Sequence, residues 1–308
     1  MGRRRRGLPL NGWLVIDKPA GMTSTQVVSA VRRLTGAAKA GHGGTLDPLA
    51  TGLLPIALGE ATKTVGYVMD GAKRYSFTVR WGEARSTDDA EGEVTATSPV
   101  RPDAAAIEAA LPAFHGLIQQ VPPAYSAIKV DGARAYDLAR EGAPPELAPR
   151  AVRIDRFRLV ERPDADHATF EVECGKGAYM RSLGRDLALA LGTVGHIVAL
   201  RRSAVGPFRE AQAISLAKLE ALGHSAAASE HLMAVATALD DIPALALSVD
   251  EANRLRCGQS VGLIRRSDLE RIGTLESGAM VCATCAGKPV ALARFEAGEL
   301  RPVRVLNL

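Results

Sequence analysis

The residues with the clearest chemical potential lie in one glycine-rich stretch, GHGGTLDPLATGLLP, at positions 41–55. Asp47 comes directly before Pro48, and a proline disfavours helical backbone in the residue that precedes it. The neighbouring glycines allow turns that residues with side chains resist. The stretch is therefore predicted to be a shaped loop that presents a carboxylate. Local pattern leaves an alternative, in which Asp47 caps a helix that begins at Pro48; Gly52 and Pro55 would continue such a helix poorly.

A second candidate is Arg181, in the segment GKGAYMRSLGRDLALALG. The preceding ATFEVEC alternates apolar and polar residues as a strand does, and the period then changes to a helical stripe formed by Leu183, Leu187 and Leu191. This change predicts that Arg181 lies where a strand, a loop and a helix meet.

The four cysteines do not indicate a disulfide framework. Cys282 and Cys285 have CxxC spacing, but a structural zinc site needs four ligands and only Cys257 could supply a third. In a strand, positions three apart also point to opposite faces. We therefore expect no metal site.

The elements that position these residues begin with GWLVIDKPAGMTS, an apolar strand over Trp13 to Ile16 that ends at Lys18-Pro19. A helix is predicted next, because Thr23 and Gln26 fit a capping box and apolar residues recur at helical spacing before Gly36.

After the glycine-rich stretch, RYSFTVRW alternates strictly and predicts a strand with Tyr75, Phe77, Val79 and Trp81 on one face. On this pattern alone, Tyr75 belongs to the hydrophobic core. The following STDDAEGE predicts an acidic hairpin loop.

Composition indicates an ordinary globular protein, with 308 residues of which 47% are hydrophobic. The net charge of +4 is equalled by Arg3 to Arg6 alone, so local clusters are more informative. Such clusters contact phosphates or form solvated faces. They comprise Arg150, Arg153, Arg156, Arg158 and Arg162, and the pair Arg201 and Arg202. No apolar run is long enough to span a bilayer, and the start lacks the apolar region of a signal peptide, so we expect a cytoplasmic protein.

Three regions follow from these patterns. Residues 1–9 form a basic tail, residues 10–240 form the main domain, and residues 249–308 form a small β domain of short strands and turns. The segment from Ala213 to Leu239 is predicted to be mostly helical, and DDIPALALS reads as a linker.

Five segments together resemble the TruB-type tRNA pseudouridine synthases. They are LVIDKPAGMTS, AGHGGTLDPLATGLLPIALGEATK, KRYSF, VPPAYSAIKVDGARAYDLAR and GKGAYMRSLGRDL, in that order. The resemblance covers residues 10–215 and is most specific at GGTLDPLATG. Beyond Val249 it weakens to a PUA-like RNA-binding domain. The chain departs from the commonest motif at Gly43, where a threonine or alanine often stands, which puts the detailed geometry of the loop in doubt.

The resemblance implies conversion of uridine 55 in the tRNA T-loop to pseudouridine, with no cofactor and with tRNA as the partner of a monomeric enzyme. Asp47 is implied as the covalent catalyst, Arg181 as the arginine that pairs with it, and Tyr75 as the tyrosine that stacks on the target base. The implied RNA-binding residues are His42, Lys18, Tyr179, Arg201 and Arg202. For Lys18, support of the pocket and termination of the strand stay open as alternatives.

The resemblance also implies an α+β pseudouridine synthase fold with a mixed, largely antiparallel sheet, followed by a small all-β PUA-like domain. Two other functional classes stay open. A noncatalytic RNA-binding or RNA-folding protein would use the basic clusters without needing Asp47 opposite Arg181. A glycoside hydrolase would ordinarily need a second working carboxylate, and none is apparent.

Overall fold

The computed structural model describes residues 7–126, 128–130, 133–143, 145–222, 230–263, 266–273 and 275–308. The strands are β1 (Gly12–Lys18), β2 (Ala40–His42), β3 (Thr51–Leu58), β4 (Lys73–Trp81), β5 (Glu83–Arg85), β6 (Val94–Thr97), β7 (Gly116–Gln120), β8 (Lys129–Val130), β9 (Ala133–Arg134), β10 (Arg150–Glu161), β11 (His167–Cys174), β12 (Gly195–Val205), β13 (Phe208–Arg209), β14 (Ile214–Ser215), β15 (Ala244–Ala246), β16 (Val261–Gly262), β17 (Met280–Cys285), β18 (Lys288–Glu296) and β19 (Glu299–Val305). The helices are α1 (Ser24–Thr35), α2 (Val65–Asp70), α3 (Ala104–Ala110), α4 (Ala135–Arg140), α5 (Met180–Ala190), α6 (Leu216–Ala221), α7 (Val249–Arg256) and α8 (Arg266–Ile272).

A ten-stranded sheet forms the main domain, in the order β14-β1-β3-β12-β4-β11-β10-β7, with β2 beside β3 and β13 beside β12. Only the β1–β14 and β12–β3 pairs are parallel. The sheet is thus mixed and largely antiparallel, as the resemblance to the TruB-type enzymes implies. It places β3, which follows the Asp47 loop, between β1 and β12, and β12 pairs in turn with β4 in the middle of the sheet.

Local sequence accounts for the elements nearest the site. Thr23 and Gln26 form the predicted capping box of α1, which ends at Gly36 with a left-handed φ of 66°. The alternating strand is also confirmed: in β4, Tyr75, Phe77 and the other odd-numbered residues are buried, while the residues between them are more exposed. Phe77 packs on Phe157 and Phe170 with ring centroids 5.9 and 5.5 Å apart.

The C-terminal sheet has the order β15-β17-β18-β19-β16 and encloses its own hydrophobic core. Its strand β15 lies within the segment DDIPALALS, so that segment is not a simple linker. The prediction of strands and turns from Val249 onward is wrong over α7, which starts at a capping box between Ser248 and Glu251. In the segment from Ala213 to Leu239, which is predicted to be mostly helical, the described residues form α6 and a 3-10 helix at Val235–Leu239; residues 223–229 of this prediction lie outside the described ranges.

The two sheets are joined by direct contacts. Lys63 donates from Nζ to the carbonyl of Val305 at 2.8 Å, and the backbone N–H of Asn307 donates to Glu60 at 2.8 Å. Leu239 of the main domain packs in one apolar cluster with Leu306 and other residues of the C-terminal unit. Over the described ranges, no helix is both long enough and apolar enough to cross a membrane.

Candidate active site

Asp47 lies in a single turn and not at the start of a helix. The backbone N–H of Ala50 donates to the carbonyl of Asp47 at 3.1 Å, and strand β3 begins immediately afterwards. The helix-cap alternative is therefore wrong. The turn is approached through Gly44, whose φ of 122° is a conformation that favours glycine. The carboxylate of Asp47 is one-third exposed, so it remains reachable from solvent.

Two polar side chains fix the Asp47 loop from α1 and β1. The hydroxyl of Ser24 accepts from the N–H of Leu46 at 2.8 Å and donates to its carbonyl at 3.0 Å. Lys18 is fully buried, and its ammonium donates to the carbonyls of Pro19, Met22 and Pro48 at 2.8, 2.7 and 3.1 Å. Burial lowers the pKa of Lys18 to about 8, although the nearby Asp47 opposes this shift.

Arg202 braces the same loop from the other side. It is also fully buried, and its guanidinium donates to the carbonyls of Leu53, Thr45 and Gly44 at 2.8, 3.4 and 3.1 Å. The predicted RNA contacts by Lys18 and Arg202 therefore find no support in the structure, because the charged groups are enclosed by backbone carbonyls. Both side chains instead hold the loop, which agrees with the open alternative that Lys18 supports the pocket.

Arg181 lies in the first turn of α5, at the predicted junction after β11. Its Nε donates to Oδ2 of Asp47 at 2.9 Å and its Nη2 to Oδ1 at 3.1 Å. Its Nη1 and Nη2 also donate to the carbonyls of Thr87 and Tyr125, at 2.9 and 2.8 Å. Arg181 is only 4% exposed, so its charge and orientation are fixed by the fold. A permanent cation in this geometry orients both oxygens of the carboxylate through its planar fork.

Sequence reasoning missed the buried carboxylate of Asp89. It lies 3.6 Å from Nε of Arg181, and it accepts from the hydroxyl of Thr87 at 2.5 Å and from the N–H of Glu91 at 3.1 Å. The hairpin between β5 and β6 is confirmed, but only its acidic composition is visible in the sequence. The contact with Arg181 depends on how the hairpin folds back over α5, and no local pattern encodes that.

Tyr75 lies on the buried face of β4, where 9% of the residue is exposed. Burial raises the pKa of its phenol, nearby Arg202 opposes this rise in part, and Asp47 adds to it. The hydroxyl is therefore protonated at neutral pH and lies close to both Asp47 and Arg202. The predicted burial of Tyr75 on one face of its strand is confirmed, and its implied stacking on the target base stays a prediction.

The other three implied RNA-binding residues have different surroundings. His42 ends β2 opposite Ile56 and is half-buried; burial and the charge of Arg202 lower its pKa, so the ring is neutral. Tyr179 precedes α5, and burial and nearby Asp47 raise the pKa of its phenol. Arg201 is 41% exposed, and it pairs with Asp17 and Glu210. Their roles toward RNA stay predictions.

Packing explains why this chain has glycine at position 43, where it departs from the commonest motif. A Cβ at this position would lie 2.8 Å from Cγ1 of Val68, 3.4 Å from the ring of Trp13 and 3.5 Å from Pro55. Its N–H donates to the carbonyl of Pro55 at 2.7 Å. In this chain, Val68 occupies the space that a larger residue would need.

Two family descriptions match consecutive parts of the chain. Residues 32–180 match the N-terminal domain of the TruB family pseudouridylate synthases, and residues 181–242 match the tRNA pseudouridylate synthase B C-terminal domain. The chain belongs to the TruB family of pseudouridylate synthases. The tRNA pseudouridine synthase B of Gluconacetobacter diazotrophicus is 61% identical over 310 residues, which cover 99% of this chain and 100% of that protein. That of Rhodospirillum rubrum is 58% identical over 308 residues, with both chains fully covered.

Solved structures show the same fold. A chain of an H/ACA RNP bound to a substrate RNA containing 2'-deoxyuridine gives a TM-score of 0.74 at 21% identity, covering 100% of this chain and 92% of that chain. A chain of the archaeal box H/ACA sRNP Nop10-Cbf5 complex gives 0.73 at 21% identity, covering 100% and 93%. The predicted pseudouridine synthase fold is confirmed.

The CxxC pair lies in the C-terminal sheet. Cys282 and Cys285 of β17 pack in different apolar clusters, as expected for opposite faces of a strand. In the part of the chain that the structure describes, no group of three or more His, Cys, Asp or Glu side chains could hold a metal ion.

Proposed function

We propose that this protein isomerises uridine 55 in the T-loop of tRNA to pseudouridine, with Asp47 as the covalent catalyst. The observation that carries the proposal is the two-point hydrogen bond between buried Arg181 and partly exposed Asp47, at 2.9 and 3.1 Å. A noncatalytic RNA-binding protein has no need of a fixed, solvent-reachable carboxylate of this kind. High identity to proteins named tRNA pseudouridine synthase B supports tRNA as the substrate.

In the proposed reaction, Asp47 breaks the bond between N1 of uracil and C1′ of the ribose, either by attack on C1′ or by promoting elimination to a glycal. The freed uracil takes the electron pair, rotates, and re-joins C1′ through C5. In the attack route this step displaces the Asp47 carboxylate from C1′, and in the glycal route the proton that was removed from C2′ returns to C2′. The proton on C5 is then lost and N1 gains one. The reaction changes no oxidation state and is proposed to need no cofactor.

Arg181 is proposed to hold the Asp47 carboxylate in one orientation throughout the reaction. Tyr75 is proposed to stack on the uracil while its glycosidic bond is open, since stacking holds a base without fixing its rotation as hydrogen bonds would. Its protonated hydroxyl is a candidate for a late proton step.

A uridine inside folded tRNA must leave the stack before it can be reached. The neutral ring of His42 suits a role in filling the space that the flipped base leaves. Tyr179 lies near Asp47 and is proposed to contact the same nucleotide. Arg201 is the one exposed cation of the proposed set, so it is proposed to contact phosphate by exchanging Asp17 and Glu210 for the RNA backbone.

The C-terminal unit is proposed to add affinity for tRNA, because every residue proposed to take part in the chemistry lies in the main domain. We further propose that the enzyme works as a monomer in the cytoplasm without an obligatory protein partner.

Incubation with an unmodified tRNA transcript, followed by mapping of pseudouridine, tests the proposal. We expect product at the T-loop uridine and none in a matched transcript that carries cytidine at that position. Absence of product in a transcript that binds the enzyme would overturn the assignment of reaction and substrate.

A further inference from the structure

The acidic hairpin loop, residues 86–93, forms one wall of the site. The carbonyl of Thr87 accepts from Arg181 at 2.9 Å, and Asp89 lies 3.6 Å from the same guanidinium. The position of this loop therefore bears directly on how Arg181 meets Asp47. Arg181 reaches only one backbone group of the loop, so further anchors are needed to fix it.

Arg185 supplies such an anchor from the next turn of α5. Its Nη1 donates to Oδ2 of Asp88 at 2.8 Å, and its Nη2 donates to the carbonyl of Val121 at 2.8 Å. Arg181 binds the same two segments, through Thr87 and Tyr125. Residues four apart lie on the same face of a helix, so the two arginines bind the acidic hairpin loop and the 121–125 segment side by side.

Asp88 is held in an uncommon conformation at this anchor. Its φ is 59°, in the left-handed region that few residues other than glycine adopt. Its carbonyl accepts from the N–H of Ile197 at 3.1 Å, which ties it to β12. A conformation of this kind persists only where the surroundings fix it, and the ion pair with Arg185 is one of those fixed contacts.

We propose that Arg185 is a positioning residue, which holds the acidic hairpin loop through Asp88 so that the Thr87 carbonyl and Asp89 keep Arg181 aimed at Asp47. This inference rests on the proposed function. Arg185 touches neither Asp47 nor any residue assigned to the substrate, and acts through the loop. Loss of the anchor is expected to disturb the chemical step while leaving the RNA-binding surface in place.

The test compares Arg185→Gln, Arg185→Lys and Asp88→Asn with the wild type. The matched control is Asp186→Asn, since Asp186 accepts from Nε of Arg185 at 2.9 Å on the same helix but touches neither loop. Single-turnover rates with saturating enzyme are measured on a tRNA transcript, together with Kd. Hydrogen exchange of peptides over residues 86–93 reports on the loop itself.

We expect Arg185→Gln to slow the single-turnover rate by about 10- to 100-fold, as small misplacements of catalytic groups do. The Kd of Arg185→Gln and the rate of Asp186→Asn should stay within about twofold of the wild type. Arg185→Lys should recover part of the rate by restoring the charge opposite Asp88, and exchange should rise in the hairpin but not in the C-terminal sheet.

A normal rate in folded Arg185→Gln, or a weakened Kd with a normal rate at saturation, would overturn the inference. If Arg185→Gln does not fold, Asp88→Asn decides by the same criteria, because it keeps the side-chain shape and removes only the charge. An inactive wild type would instead count against the proposed function, so the two failures are distinguishable.

Discussion

Arg181 and Asp47 are 134 positions apart in the chain, yet two nitrogens of one guanidinium meet the two oxygens of one carboxylate at 2.9 and 3.1 Å. The pair joins the first turn of α5 to a turn that precedes β3. Because Arg181 is buried and also bound to two backbone carbonyls, it cannot leave Asp47 without breaking other hydrogen bonds.

The first prediction concerns Arg181→Lys. A lysine ammonium is a compact charge that lacks the planar fork, so it cannot serve both oxygens of Asp47 and the carbonyls of Thr87 and Tyr125 in this geometry. We expect the single-turnover rate to fall by about 100-fold or more.

Arg101→Lys is the matched control for that change. Arg101 also binds one carboxylate, Asp166, and two carbonyls, those of Ser98 and Val100, but it lies outside the site. An equal loss of rate in both variants would show that the effect is not specific to the site.

Part of the fold could be predicted from the sequence, because local patterns determine it. The alternation in β4, the capping box of α1 and the change of period before α5 each involve neighbours in sequence. The capping box at Ser248 and Glu251 is a signal of the same kind, and it would have predicted α7.

The residues that form the site were harder to predict from the sequence, because their placement depends on contacts between distant segments. Lys18 and Arg202 have the residue types of RNA contacts, yet β1 and β12 place their charges beneath backbone carbonyls of the Asp47 loop. Asp89 reaches Arg181 only because its hairpin folds back over α5. Charge alone does not say whether a side chain faces solvent or the interior.

Tyr75 is expected to act through its ring first and its hydroxyl second. Stacking is worth about 1–3 kcal/mol per base, which corresponds to about 5- to 160-fold in rate, so Tyr75→Leu should lose most of its turnover. Tyr75→Phe should keep the affinity for tRNA and lose only the contribution of the hydroxyl. Rates, Kd and thermal unfolding of both variants provide the measurement. A wild-type rate with normal affinity in Tyr75→Leu would rule out the stacking role.

Gly43→Ala should destabilise the protein, because its methyl group would lie 2.8 Å from Cγ1 of Val68. Overpacking of this kind costs about 1–3 kcal/mol in the free energy of unfolding. The double variant with Val68→Ala opens that space, so the two changes together should cost less than the sum of each alone. Urea unfolding of all three variants measures these free energies. Strict additivity would mean that the contact between the new methyl group and Val68 does not cause the loss of stability.

Acid should weaken the C-terminal unit through Glu251. Hydrogen bonds from Arg271 lower the pKa of this carboxyl from 4.5 to about 2, against the opposing effect of burial. Since the pKa is depressed in the folded state, the stabilisation is fully present above pH 4.5 and is lost as the pH falls towards 2. Glu251→Gln should be less stable than the wild type at pH 7, and the difference should shrink over that window. A difference that stays constant from pH 7 to pH 2 would show that ionisation of Glu251 contributes nothing.

The catalytic role proposed for Asp47 is tested most directly by Asp47→Asn, which keeps the shape of the side chain and removes its nucleophilic charge. One preparation is measured for tRNA affinity, thermal stability and pseudouridine formation, beside Asp166→Asn as a carboxylate that pairs with an arginine outside the site. We predict that turnover vanishes in Asp47→Asn alone, while its Kd stays within about tenfold of the wild type, or about 1.4 kcal/mol. Appreciable multiple turnover by Asp47→Asn, with deamidation to Asp excluded by mass spectrometry, would contradict it.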